Sequence, residues 1–436
     1  NPNVDNANNV HGSHVSGCAA AATNNGAGVA SPGFNCKFLP VKSSKASTTG
    51  VIDNGYEGII YAADHGCQII NNSWGGPAGG QFGQDAITYA TINKQCLVVA
   101  SAGNDSKEQT NYPAAYNYVL SVAATTSTDA KSSFSTFAYS VDVCSPGSGI
   151  YSTVYNNTYT SMDGTSMAGP ICAGAAGIVK SFFPSYTGLQ VGEQLKVTAD
   201  NIYAVGSNSS YKDKLGTGRI NLYRALTESS PSVKMSPITI IDGNDNVFIA
   251  GDTLLITGKF VNYLAAASNV TATLSSTNTD VTILNPALNV GSLATLATFD
   301  VNKSNAYKVL IKSSASTNEK VLFKINCADG AYSGDQYFSV TVNVDYINID
   351  INDVASTNTS RGRIGYNASD IAAGGLGFVY NDTSSLTYEA GLMIGVSSSK
   401  VSDNVRGSGT TGDVDFVSTQ AVKERIPALK SEFETF

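Results

Sequence analysis

Residues 36–199 alternate between two textures, and that alternation constrains the fold more than any other feature. Apolar, β-branched runs of strand length recur at Cys36–Val41, Gln68–Ile70, Leu97–Ala100, Val119–Ala123 and Val141–Val143. Helix-length stretches lie among them: Asp53–His65, Gln84–Lys94, Ala168–Phe182 and, beyond Pro184, Tyr186–Ala199. Strands alternating with helices predict a parallel sheet with helices on both faces. The texture changes after Ser229-Ser230-Pro231. From 233 to 345 short β-type runs (Thr253–Ile256, Val270–Leu274, Val281–Leu284, Lys308–Ile311, Val321–Ile325, Tyr337–Val344) alternate with turn clusters. That pattern reads as an antiparallel β-sandwich. From 346 onward strand signals persist at Gly377–Tyr380 and Thr387–Ile394, among many Gly, Ser and Asn. The expected organisation is an α/β domain over 1–229, a β-sandwich accessory domain over 233–345 and a β-rich region over 346–436.

Composition narrows the function. Only 14% of the 436 residues are charged, against about 25% in an average protein. The hydrophobic fraction of 42% supports sizeable cores, so the chain is globular rather than disordered. A net charge of −8 argues against a nucleic-acid partner. No apolar run approaches the roughly 18 residues of a membrane span. Few charges and short polar side chains suit a secreted protein. Asn1-Pro2-Asn3 is not a signal-peptide start, and the chain reads as a processed or trimmed product. The seven cysteines lie mostly in apolar runs and show no zinc-type pairing.

Histidine is the usual general base near neutral pH, and the chain has three. Two lie in His11-Gly12-Ser13-His14-Val15-Ser16-Gly17 and the third is His65. The sharpest nucleophile candidate is Ser166, in Gly164-Thr165-Ser166-Met167-Ala168-Gly169-Pro170. A serine opening a helix sits where backbone N–H groups and the helix dipole favour developing negative charge. A third segment, Ser101-Ala102-Gly103-Asn104-Asp105, ends a buried strand. Sites in parallel α/β folds sit at that edge, and an Asn amide there can donate to an oxyanion.

Singly these segments are weak signals. Together and in this order they resemble the subtilisin-like serine proteases. Asn71-Asn72-Ser73-Trp74-Gly75-Gly76 is similar to that family's substrate-binding strand, and Tyr112-Pro113-Ala114, Cys144-Ser145-Pro146-Gly147 and Gly216-Thr217-Gly218-Arg219-Ile220-Asn221 to its scaffold. The resemblance spans about residues 8–226. It implies a subtilisin-like α/β fold and a serine endopeptidase acting on peptide or protein substrates, with no cofactor needed for catalysis. It makes His11 the general base, Ser166 the nucleophile and Asn104 the oxyanion donor. Ser73, Trp74 and Gly75 would pair with substrate main chain, and Ser101, Ala102 and Gly103 would line the pocket opposite. His14 takes a scaffold role. His65 reads as a helix-cap residue.

One departure stands out. The family's catalytic Asp ends a strand some thirty residues before the histidine box, and the only acid before His11 is Asp5, in no such motif. The resemblance therefore implies a separate N-terminal segment of the same precursor that supplies both strand and Asp. A catalytically inactive binding or adhesion protein on the same scaffold is the competing reading. Asp242, Asn244, Asn246 and Asp252 form an oxygen-rich loop like a calcium loop, but Thr253 stands where an EF-hand has Glu. Structural calcium is expected there, with a solvated Asx turn as the alternative. Cys67 and Cys96 begin strands that are neighbours in the family, so they are either a disulfide or two buried thiols.

Overall fold

The computed structural model describes residues 10–45, 50–243, 247–351, 354–359, 363–365, 377–380, 389–391, 393–397 and 400–403. Four parallel strands, β1 (Ile69–Asn72), β2 (Leu97–Ser101), β3 (Val119–Thr125) and β4 (Val143–Pro146), form one sheet in that order. Every residue of β2 and β3 is buried, as a parallel strand covered on both faces requires. The period of two sends Leu97 and Val99 to one face and Val98 and Ala100 to the other.

Two helical layers cover those faces. α4 (Thr165–Phe182), α5 (Gly188–Val197) and α6 (Leu222–Thr227) place Ala168, Cys172, Ala176, Val191, Leu195 and Ala225 against Leu97, Val99 and Val122. α2 (Gly55–Asp64) and α3 (Gln81–Thr88) set Ile59, Ala62 and Ile87 against Ile70, Val98 and Ala100. α1 (His11–Ala20) rests on the hairpin β5 (Ile150–Val154) and β6 (Thr158–Met162). There Ser152 Oγ and Thr153 Oγ1 donate to His14 O and Ser13 O at 2.8 and 2.9 Å.

Cys36–Val41 departs from expectation and forms no strand. A strand needs a hydrogen-bonding neighbour, and among the described residues this segment has no ladder partner. A groove of about 2250 Å³ separates it from β1, which is an edge strand of the described sheet. Phe38 stands 60% exposed on this apolar segment.

Residues 233–342 build two antiparallel sheets around one core. In the first, β8 (Thr253–Asn262) pairs with β7 (Val233–Ile241), β12 (Thr298–Val301) and β13 (Tyr307–Ile311), and β10 (Val281–Asn285) adds to β13. The second runs β11 (Ala287–Leu293), β9 (Ala267–Ser275), β14 (Glu319–Asp329), β15 (Tyr332–Val342). Leu254, Phe260 and Tyr307 from the one interdigitate with Val270, Leu274 and Phe323 from the other. Beyond 345, Tyr346–Ile351 pairs with Val354–Thr359 and Met393–Ser397 with Lys400–Asp403. Among the described residues no helix is long and apolar enough to cross a membrane.

The sandwich meets the α/β part at the amino ends of the parallel strands. α5 starts there, since Gly188 N donates to Gln95 O at 2.9 Å. From α5, Gln190 Nε2 donates to Tyr263 O at 2.9 Å, and Glu193 Oε2 accepts from Ser232 Oγ at 2.5 Å. Lys196 Nζ bridges Glu193 Oε1 at 2.8 Å and Asp142 Oδ1 at 2.9 Å. Ser236 Oγ donates to the Tyr118 hydroxyl just before β3, and Tyr139 packs on Tyr337 with centroids 4.9 Å apart. Burial pushes the Glu193 carboxyl up, but Lys196, Lys234 and the hydrogen bonds from Lys196 and Ser232 outweigh it and hold it below its ordinary value.

Candidate active site

The carboxyl edge of the sheet gathers three segments far apart in sequence. Ser166 is the second residue of α4, so its N–H has no intrahelical acceptor. Asn104 follows β2, and its Oδ1 accepts from both Thr165 N and Thr165 Oγ1 at 2.9 Å. With its oxygen committed, the amide must turn Nδ2 outward. A Cβ built on Gly164 would stand 3.5 Å from both Asn104 Nδ2 and Ser166 N. The two nitrogens therefore lie beside one small volume.

The flanking residues are tied to the same helix start. Ser101 Oγ donates to Thr165 O at 2.9 Å, and Gly103 N donates to Thr165 Oγ1 at 3.2 Å. Gly103 has φ +112°, and a Cβ there would fall 2.1 Å from Asn111 Nδ2, so only glycine fits. Ala102 is buried, and its carbonyl accepts from Asn111 Nδ2. Ser73 Oγ donates to Ser166 O at 2.9 Å. Trp74 packs edge-on to Tyr56, and Gly75 lies against the Tyr112 carbonyl.

His11 opens α1, shares the groove with Ser73, Trp74 and Gly75, and is exposed. The surrounding protein, and then the nearby His14, hold its imidazolium below the ordinary histidine value. Ser166 Oγ leans toward Ser73 O at 3.4 Å, and no hydrogen bond to His11 forms among the described residues. His14 is buried and donates Nε2–H toward Ile150 O at 3.0 Å and Thr160 O at 3.1 Å. Two carbonyl acceptors fix that tautomer, which leaves Nδ1 to accept from Cys18 Sγ at 3.5 Å. It fastens α1 to the hairpin. His65 ends α2, with Nδ1 at 2.8 Å from Tyr61 O.

Asp5, Asn244 and Asn246 lie outside the described residues. Asp252 uses Oδ2 to accept from Ile249 N, three residues earlier, at 2.9 Å, a local bond of the opposite sense to an Asx turn. Asp242 follows the last residue of β7, Ile241, at the start of the same loop. Among the described residues no group of three or more His, Cys, Asp or Glu is placed to hold a metal. Cys67 and Cys96 are both free thiols, with Cys96 Sγ donating to Cys67 O at 3.0 Å. Sequence reasoning missed Thr165 as the anchor of Asn104 and Asn71 as a partner of Ser73, whose Oγ accepts from Asn71 Nδ2 at 3.0 Å. The signal for Asn71 was its place two residues before Ser73, on the same side of the chain.

A serine at a helix start and a fixed amide at the carboxyl edge of a parallel sheet, with an imidazole on the groove that Ser73 also lines, are parts that a serine hydrolase uses. The profile of the subtilase family matches residues 1–236, more than half of the chain, and the chain belongs to that family of subtilisin-like serine endopeptidases. Over 218 residues it is 43% identical to the thermitase of Thermoactinomyces vulgaris, covering 50% of this chain and 75% of that one. Over 219 residues it is 39% identical to a thermophilic serine proteinase of Bacillus sp. strain AK1, covering 50% of this chain and 52% of that one. Among solved structures, a protease from Pseudoalteromonas arctica PAMC 21717 is 30% identical with a TM-score of 0.45, covering 50% of this chain and 70% of that one.

Proposed function

We propose that the protein hydrolyses peptide bonds through an acyl-enzyme on Ser166. Ser166 Oγ attacks the scissile carbonyl carbon while His11 takes its proton and passes it to the leaving amine. Water then attacks the ester with His11 again as base, releasing the acid and restoring Ser166. Asn104 Nδ2 and Ser166 N–H receive the oxyanion. Ser73–Gly75 and Ser101–Gly103 flank the substrate main chain as an added strand. The convergence of Asn104 Nδ2 and Ser166 N on one volume beside Gly164 carries this reading. A fluorophosphonate tests it: stoichiometric labelling at Ser166 is expected, and no labelling of folded protein overturns it. Asn104→Ala lowers kcat by about 10²–10³ with KM nearly unchanged, the size that losing such a donor has in subtilisin. A raised KM at constant kcat would make Asn104 a ground-state contact instead.

His11 needs an orienting carboxylate, and we assign it to an N-terminal segment of the same precursor seated in the groove. Support comes from the edge of β1, unpaired among the described residues, and from the apolar residues Phe38, Leu39 and Val41 on the same groove. A strand there would satisfy backbone groups on both sides. Intact-mass analysis of denatured, active enzyme is expected to show this segment as an extension or companion peptide. Full activity in a preparation homogeneous from Asn1 would return the orienting role to Asp5 or to no acid. Low charge density supports action outside the cell. Structural calcium is kept for the loop that holds Asn244 and Asn246, with no part in the chemistry.

A further inference from the structure

Pro170 stands four residues after Ser166 inside α4. In an α-helix the carbonyl of residue i accepts from the N–H of residue i+4, and proline has none. The Ser166 carbonyl has therefore lost its intrahelical donor. Ser73 Oγ takes that place, donating at 2.9 Å. A serine hydroxyl has one proton. Once that proton is committed to Ser166 O, the oxygen can only accept, and Asn71 Nδ2 donates to it at 3.0 Å. The same count fixes the amide orientation of Asn71, because its oxygen could not donate to Ser73. Among the described residues Asn71 Oδ1 is buried without a partner. It lies under Gly169, where a Cβ would come within 3.2 Å of both that oxygen and Ser101 Oγ.

We infer that Asn71 is a positioning residue for the nucleophile. It holds the Ser73 hydroxyl in the one rotamer that replaces the missing N–H of residue 170, and so fixes the main chain of Ser166 from the carbonyl side. Asn104 fixes it from the other side through Thr165 N. The inference rests on Ser166 being the nucleophile. Without Asn71 the Ser73 proton is free to turn elsewhere, and both Ser166 Oγ and its N–H drift from the reacting carbonyl. Small misplacements of this kind cost up to about 100-fold in rate.

The test is Asn71→Leu, measured per active site by fluorophosphonate titration. We expect kcat to fall about 10- to 100-fold, KM to stay within about two-fold, and the labelling rate to fall with kcat. Adding Pro170→Ala restores an N–H at position 170 and is expected to recover most of the lost kcat. In a Ser73→Ala background, Asn71→Leu is expected to have no further effect on kcat. An unchanged kcat per titrated site, or equal losses in the Ser73→Ala and parent backgrounds, overturns the relay. If Asn71→Leu does not fold, Asn71→Asp carries the same measurement, since a carboxylate accepts the Ser73 proton and withdraws it from Ser166 O. Ser166→Ala separates the two readings. Residual labelling and hydrolysis in that variant overturn the site itself, whereas their loss beside a neutral Asn71→Leu overturns only the relay.

Discussion

Ser166→Ala reduces kcat on the order of 10⁶-fold, the size of this substitution in subtilisin rather than one that this geometry yields. Triad members act as a unit, so removing the nucleophile leaves only oxyanion binding and substrate alignment. The fold should not change. Among the described residues Ser166 Oγ makes only a long hydrogen bond, 3.4 Å to Ser73 O, while the helix start is held by Asn104, Ser101 and Ser73 through the main chain. Melting temperature and far-UV circular dichroism check this beside a peptide-hydrolysis assay. More than a few per cent of parent activity in the purified variant would remove Ser166 from the role.

Lys196→Met destabilises the protein by about 3–5 kcal/mol, the usual cost of removing one partner of a buried ion pair. Lys196 Nζ lies within 3 Å of carboxylates of both Glu193 and Asp142, and its side chain is only 17% exposed. Burial pushes its ammonium down, but Asp142 and Glu193 overcome that and hold it charged, above the ordinary lysine value. Without it, two carboxylates of the α/β part are left unneutralised beside the junction with the sandwich. Differential scanning calorimetry should show a drop of about 10 °C, and a shift under 2 °C would reduce the cluster to a surface feature. Lys196→Met with Glu193→Met should recover part of the loss. The sign with pH follows from the lowered Glu193 pKa. Its contribution is present above the ordinary carboxylate value of about 4.5 and is lost as pH falls through the lower folded value. In Lys196→Met burial of Glu193 is opposed by fewer partners, its folded value rises, and this contribution shrinks.

The α/β part was legible because its signals are local. His11 and Ser166 each sit in a short contiguous box, and β2 and β3 are apolar on both faces. α5 was placed slightly long. Its start at Gly188 is set by a reciprocal cap, Thr187 with Gln190, and that spacing is readable in the sequence. Cys36–Val41 misled because apolar texture describes what a strand is made of, whereas ladder bonds depend on what lies beside it. β7 and β11 were not read because register shifts between Met235 and Ile238 and between Asn289 and Gly291 interrupt their alternation, and β12 because it has only 4 residues. The tie from Asn104 to Thr165 spans 61 positions and that from Ser73 to Ser166 spans 93. The role of Pro170 emerges only when its missing N–H is traced to a carbonyl four residues back and to a hydroxyl from another strand.

The sandwich and the proposed hydrolytic site occupy opposite ends of the same parallel strands: Gln190, Glu193 and Tyr118 at the amino end, Ser73 and Asn104 at the other. The strands thus act as a spacer with a mounting end and a working end. A tag, a resin linkage or a fusion partner attached through the sandwich would leave the mouth that admits polypeptide unobstructed, and chemistry at that mouth could be re-engineered without loosening the mount.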